Sequence, residues 1–204
     1  MQILLPIHIL AGTIALLCAA LAVSSAKGKK FHVLAGRTYF WCMTAIFLTA
    51  IPMSVITSNL FLFLIAFFSF YLALPGIRFA RNRKGITTTL DWIAVSLMLL
   101  SGAGMWTLAA NYFMNNNSQY ITLLVFGFLA IILGYGDFKS YKNKTAIGKE
   151  RIGRHLGNMM GGTIAVVTAV LVVNVNIEPV WIWWVLPTVL ITPAIVWWKI
   201  KVLK

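Results

Sequence analysis

Few side chains in this sequence can carry chemistry in an apolar setting. The chain has three histidines, His8, His32 and His155, and only four acidic residues. An imidazole can ligate haem iron, copper or zinc through a ring nitrogen, or relay protons near neutral pH. Because charged and polar groups at membrane depth are costly, each of them is a functional hypothesis.

Four of these side chains share one predicted position, at helix ends on the same side of the membrane: His32, Asp91, Asp137 and His155. The histidines come just before the second and sixth predicted helices, and the aspartates at the start of the fourth and the end of the fifth. We expect the four to form one polar site, which could hold zinc with water in the open position. Met159 follows His155 by one helical turn, a spacing that would suit haem or copper.

A structural role is the alternative for these residues. Asp91 lies in the first turn of its helix, where the helix dipole favours an anion, and Asp137 has Lys139 and other basic neighbours with which to pair. Three further side chains are predicted to support the bundle, namely the interfacial anchors Arg37 and Arg78 and the packing aromatic Tyr71, whose hydroxyl is hydrogen-bonded.

His8 lies in the first predicted helix, roughly 22 Å of helix rise from the end that leads to the second. Gly12 follows on the same helix face and leaves a notch where a neighbouring helix or a planar ligand could sit. Either His8 is a ligand or proton relay, or it is hydrogen-bonded to another helix. In both cases we expect it to point into the bundle, because lipid offers its ring nitrogens no partner.

The elements that must position these residues are membrane helices. The chain has 204 residues, 60% hydrophobic and 10% charged, and its mean hydropathy is +0.88. A spanning helix needs roughly 20 apolar residues, and the sequence predicts seven such stretches, at about 3–23, 39–56, 60–77, 90–112, 120–136, 156–175 and 180–198. We therefore expect an all-α fold, a single transmembrane domain of seven helices over residues 1–204 with no soluble module.

The basic residues predict the orientation of these helices. Seven spans put all 17 Lys and Arg on one side of the membrane and none on the other. By the positive-inside rule that side is cytoplasmic, so the N-terminus is outside and the C-terminus inside the bacterial inner membrane. The net charge of +13 then reflects topology and contact with anionic lipid, and does not indicate binding to nucleic acid.

Several stretches resemble a known family over nearly the whole chain. They are His8–Gly12, His32–Arg37, Tyr71–Gly76, Asp91–Trp92 and His155–Met159. In them the chain resembles the bacterial membrane proteins grouped as domain of unknown function 2306. The resemblance implies a membrane fold of several helices with recurrent histidines, and it implies no particular activity.

The sequence leaves four functions open, and with them the question whether the chain is an enzyme. The leading hypothesis is a small membrane redox protein that binds haem b or a quinone, with His32 and either His155 or Met159 as ligands. His8 has no histidine partner at its own depth, which weakens this hypothesis. The alternatives are a proton-linked small-molecule transporter built on His8, a zinc-dependent membrane hydrolase built on the four-residue site, and a non-catalytic subunit bound to other membrane subunits.

Overall fold

Seven helices make up almost all of the chain. The computed structural model describes residues 1–204 and contains α1 (Leu4–Ser24), α2 (Lys30–Ile56), α3 (Leu60–Arg81), α4 (Thr89–Met114), α5 (Tyr120–Lys142), α6 (Gly148–Asn174) and α7 (Trp181–Leu203). All seven are long and apolar enough to cross a membrane. The predicted all-α fold and helix number are therefore confirmed. Because the connections are short, consecutive helices run in opposite directions.

All 17 Lys and Arg belong to one end of the bundle, which we call the basic end. It consists of the first eight residues of α2, α4 and α6, the last five residues of α1, α3, α5 and α7, and the connections between them. Contacts between distant segments bring these ends together. The Lys149 Nζ donates to the carbonyl of Lys204 at 2.6 Å, and the Lys27 ammonium lies 4.7 Å from the Trp198 ring centroid.

At the basic end several helices are longer than predicted. α2 begins at Lys30 and α6 at Gly148. His32 and His155 therefore lie inside their helices, whereas the sequence predicts them just before the helices begin. Hydropathy marks only the part of a helix that lies in hydrocarbon. A helix satisfies its own backbone hydrogen bonds in the head-group region as well, so a charged segment can extend it.

Four helices, α1, α2, α3 and α6, pack in a closed ring. α1 packs on α2, α2 on α3, α3 on α6 and α6 on α1, while α2 and α6 face each other across the diagonal with little direct backbone contact. The core of this ring combines small side chains with a few large ones: Ala15, Cys18, Ala19, Tyr39, Met43, Ala73 and Val166. Ligand sites in helix bundles are built from side chains on facing helices, and here those helices are α2 and α6.

A second core joins α3 to α4 and α5. Phe68 of α3 stacks on Phe126 of α5 with ring centroids 5.4 Å apart, and Met98, Met105 and Leu123 are fully buried beside them. α3 belongs to both cores and is the most buried helix, whereas α7 lies at the edge with only Pro187 buried. The outer surface exposes many large apolar side chains, as expected where lipid is the solvent.

Candidate functional site

His32 and His155 approach each other across the diagonal of the four-helix ring. Their ring centroids are 6.3 Å apart and the ring planes are nearly perpendicular, at 88°. His32 lies in the first turn of α2 and His155 in the part of α6 that extends beyond the apolar span. Both side chains are half-buried at the basic end.

Each of these imidazoles is tied to a backbone carbonyl through Nδ1. The His32 Nδ1 lies 3.0 Å from the carbonyl oxygen of Ala22 in α1, and the His155 Nδ1 lies 2.8 Å from that of Gly76 in α3. A carbonyl only accepts, so both Nδ1 atoms carry a proton and, in the neutral ring, Nε2 keeps a free lone pair. Histidines that ligate metals are commonly oriented by such a hydrogen bond.

One glycine leaves room beside the histidine pair. Gly36 lies one turn after His32 on the same face of α2, and the position that its Cβ would take is 4.0 Å from its nearest neighbour, the Met159 Cε. Met159, predicted as a second ligand, packs instead on α3, with its Sδ 2.7 Å from the position of a Cβ on Gly76. Its thioether therefore fills the space between α6 and α3.

Asp137 lies in a separate buried network. Its side chain is 2% exposed and accepts hydrogen bonds from the Tyr71 hydroxyl at 2.8 Å and from the Arg154 Nη1 at 2.9 Å. The prediction that the Tyr71 hydroxyl is hydrogen-bonded is confirmed. The basic partner of Asp137 is Arg154 of α6 and not Lys139, because residues two apart on a helix do not face each other. Arg154 also reaches Glu150 at 3.2 Å.

Asp91 forms the second buried ion pair of the basic end. Its two carboxylate oxygens accept from the Arg78 Nε and, at 2.6 Å, from the Arg78 Nη2. The backbone N–H of Thr88 donates to the same carboxylate at 2.8 Å, which caps the start of α4. The position of Asp91 in the first turn, where the helix dipole favours an anion, agrees with the structural role considered for it. Arg78 thus holds a carboxylate across the α3–α4 connection and is not merely an interfacial anchor.

The prediction of one shared polar site was made for four side chains: His32, Asp91, Asp137 and His155. In the structure the histidines face each other, while each aspartate is bonded to an arginine of another helix. No three His, Cys, Asp or Glu side chains lie close enough to hold one metal ion. The prediction of a single cluster is therefore wrong, because a buried carboxylate is best compensated by a guanidinium, which donates several hydrogen bonds at once.

His8 lies at the other end of the bundle and binds α2. Its Nδ1 is 2.9 Å from the Thr49 Oγ1, and Thr49 is 6% exposed. The imidazole therefore has an interhelical hydrogen-bond partner, as expected of a ring that points into the bundle. A Cβ on Gly12 would meet nothing within 4 Å, so the predicted notch beside the imidazole is open.

Sequence reasoning missed the groups that hold the histidines in place. The carbonyls of Ala22 and Gly76 accept from the two imidazoles, and a backbone carbonyl has no signature in a sequence. Arg151 was also missed. It donates from α6 to two carbonyls at the end of α3, those of Phe79 and Ala80, at 2.8 and 2.5 Å. The spacing of Arg151, Arg154 and His155 within one turn of α6 was the available signal.

No family model, no curated protein and no solved structure matches this chain. The resemblance to domain of unknown function 2306 stays a prediction from the sequence. What the chain can do is therefore inferred from the geometry of its own residues. In the histidine pair two imidazoles lie close together, and the Nε2 of each makes no hydrogen bond to the protein.

Proposed function

We propose that this chain is a small membrane redox protein that binds one haem b between His32 and His155. The observation that carries the proposal is the pair of imidazoles across the ring, with centroids 6.3 Å apart. Imidazoles that share one metal through bonds of about 2 Å place their ring centres roughly 6 Å apart. The two Nδ1–carbonyl hydrogen bonds leave Nε2 of both rings available for such bonds.

The number of protein ligands favours haem over a bare metal ion. Zinc sites take three or four protein ligands, and no further His, Cys, Asp or Glu joins the histidine pair. In haem the porphyrin supplies four nitrogens and the protein supplies axial ligands, commonly histidine. The donor set therefore suits haem and weighs against a zinc-dependent hydrolase.

The surroundings of the pair suit a planar and acidic group. Gly36 presents no side chain toward the rings, and a Cβ there would have its nearest neighbour at 4.0 Å. Lys29, Lys30 and Arg37 are exposed near the start of α2 and would neutralise carboxylates such as propionates. When bound, haem would supply one-electron chemistry. His32 and His155 would hold the group, and their hydrogen bonds to carbonyls would keep each imidazole in one tautomer.

The segregation of basic residues supports a location in the bacterial inner membrane, with the basic end in the cytoplasm. An electron carrier there needs a donor and an acceptor. A quinone dissolved in the lipid and other membrane subunits are the partners that fit a bundle of membrane helices.

Absorption spectroscopy of the purified protein tests the proposal. We expect a Soret band, reduction by dithionite and one haem per chain. Both His32→Ala and His155→Ala should lose the band while keeping their helical circular dichroism. His8→Ala is the matched control and should keep it, because His8 is bonded to Thr49 at the opposite end.

Metal analysis of the same samples separates the alternatives. A protein that stays free of haem when haem is supplied during expression contradicts the proposal, as does full retention of haem by both single variants. Stoichiometric zinc without haem would instead favour a hydrolase. Absence of both would leave a transporter or a non-catalytic subunit.

A further inference from the structure

A cleft opens at the basic end between α2, α3 and α4, and its lining includes neither histidine of the pair. Its volume is about 330 Å³, within the range of about 300–1,000 Å³ that is usual for small-molecule sites. Four apolar side chains form its walls, Phe40, Leu74, Ile77 and Leu90. Its rim is basic, and this combination calls for a ligand that is apolar along most of its length and anionic at one end.

The basic rim consists of Arg78 and Arg81, which lie on the same face of α3. Arg78 uses its Nε and Nη2 on Asp91 and Thr88, and its Nη1 makes no hydrogen bond. Arg81 is exposed and takes part in no ion pair. The rim therefore presents the unpaired guanidinium of Arg81 beside the free Nη1 of Arg78. Two neighbouring guanidinium groups of this kind bind phosphate oxygens well.

Apart from Asp91, which pairs with Arg78, no acidic side chain is available to neutralise this rim. Asn82, which also borders the cleft, uses its amide on the backbone of Ile86 in both directions, at 2.7 and 3.1 Å. Asp137 and Glu150 are both paired with Arg154. The positive charge of Arg81 thus remains uncompensated within the chain, at the level of the bundle where lipid phosphates lie.

We propose that this cleft binds one anionic glycerophospholipid. Its phosphate binds Arg81 and the free Nη1 of Arg78, and its acyl chains follow the apolar wall formed by Phe40 and Leu74. Basic pockets between membrane helices are known to select anionic head groups in this way. The proposal does not depend on the histidine pair or on any cofactor.

Native mass spectrometry of the full chain in detergent tests this assignment. The probes are phosphatidylglycerol and phosphatidylcholine with identical acyl chains. We expect one phosphatidylglycerol to bind at lower concentration than phosphatidylcholine does. Arg81→Gln should weaken its apparent affinity about tenfold, the effect of losing one charge-assisted contact. Arg83→Gln removes the same charge from an exposed position outside the cleft and should change the affinity less than about twofold.

Two further measurements separate a lipid from a soluble phosphate. Leu74→Trp should fill the apolar wall and reduce lipid binding with no change in charge, and glycerol 3-phosphate should fail to displace the bound lipid. Equal binding of the two lipids, or equal weakening by Arg81→Gln and Arg83→Gln, would overturn the proposal. So would unchanged binding by Leu74→Trp or displacement by glycerol 3-phosphate. Thermal unfolding of each variant shows that the fold is retained.

Discussion

At the scale of single residues, the polar side chains of this bundle differ in their surroundings. His8 binds a side-chain hydroxyl, that of Thr49 in the next helix, and Asp137 is enclosed by Tyr71 and Arg154. His32 and His155 instead lie close to each other, each with Nδ1 on a backbone carbonyl. We therefore expect substitution to lower stability in the first case and to remove a bound cofactor in the second.

The hydrogen bond of His8 is expected to stabilise the fold only. His8→Leu should lower the free energy of unfolding by about 0.5–1 kcal/mol, the usual contribution of a side-chain hydrogen bond between membrane helices. Any bound cofactor should remain. Thermal unfolding followed by circular dichroism measures the loss, and the absorption spectrum reports the cofactor.

Thr49→Val is the matched control for His8→Leu. The losses in free energy of unfolding should be less than additive in the double variant, because both substitutions remove the same hydrogen bond. Loss of cofactor from a folded His8→Leu protein would instead identify His8 as a ligand.

The buried carboxylate of Asp137 is expected to matter more than His8. Asp137→Leu leaves the Arg154 guanidinium without its buried partner and should destabilise the protein by about 2–3 kcal/mol, below the full value for a buried pair because Arg154 is partly exposed. Adding Arg154→Leu should restore part of the loss. Chemical denaturation in mild detergent measures both. A double variant less stable than Asp137→Leu would show that Arg154 stabilises the protein without Asp137.

At the scale of elements, the contact that Tyr39 of α2 makes with α6 across the ring depends on one glycine. A Cβ on Gly162 would lie 2.5 Å from the Tyr39 Oη and 3.5 Å from its Cζ. Gly162→Ala should therefore destabilise the bundle by about 1–3 kcal/mol through overpacking. The same substitution in a Tyr39→Phe background should be tolerated, since the clashing oxygen is gone.

Gly12→Ala is the matched control for Gly162→Ala. A Cβ there would meet no atom within 4 Å, so the added methyl group should be neutral or slightly stabilising, as alanine is favoured over glycine in helices. Unfolding temperatures of the three variants check both expectations. Equal changes in unfolding temperature for Gly162→Ala and Gly12→Ala would show that the Tyr39 side chain can move aside without cost.

The elements were largely predictable from the sequence, and the site was not. Seven apolar stretches, separated by breaks that are alternately basic and free of Lys and Arg, determine the number of helices, because lipid imposes a length on each. The starts of α2 and α6 were misplaced because hydropathy does not register a helix that continues into the head groups. The pairing of Asp137 with Arg154 depends on which faces of α5 and α6 meet. The hydrophobic pattern of each helix does not show which faces of two different helices meet, so this ion pair could not be predicted.

At the scale of the whole molecule, the distribution of charge predicts how the bundle is oriented. Reporter fusions after Asn116 and Asn176 should report the periplasm, and fusions after Lys30, Lys84, Lys144 and Lys204 should report the cytoplasm. Alkaline phosphatase and green fluorescent protein fusions measure the two locations. A cytoplasmic signal at Asn116 would be incompatible with an N-terminus outside the membrane.

The four-helix ring is not continuous in the chain, because α4 and α5 intervene between α3 and α6. Ribosomes add about 5–20 residues per second, and the hydrogen bond between Gly76 and His155 spans 79 residues. Several seconds of synthesis therefore separate the first three helices of the ring from the fourth. During that interval α4 and α5 can already dock on the far side of α3, while the face of α2 that will meet α6 stays open to lipid. We therefore expect closure of the ring to be a late step of biogenesis, completed when α6 docks.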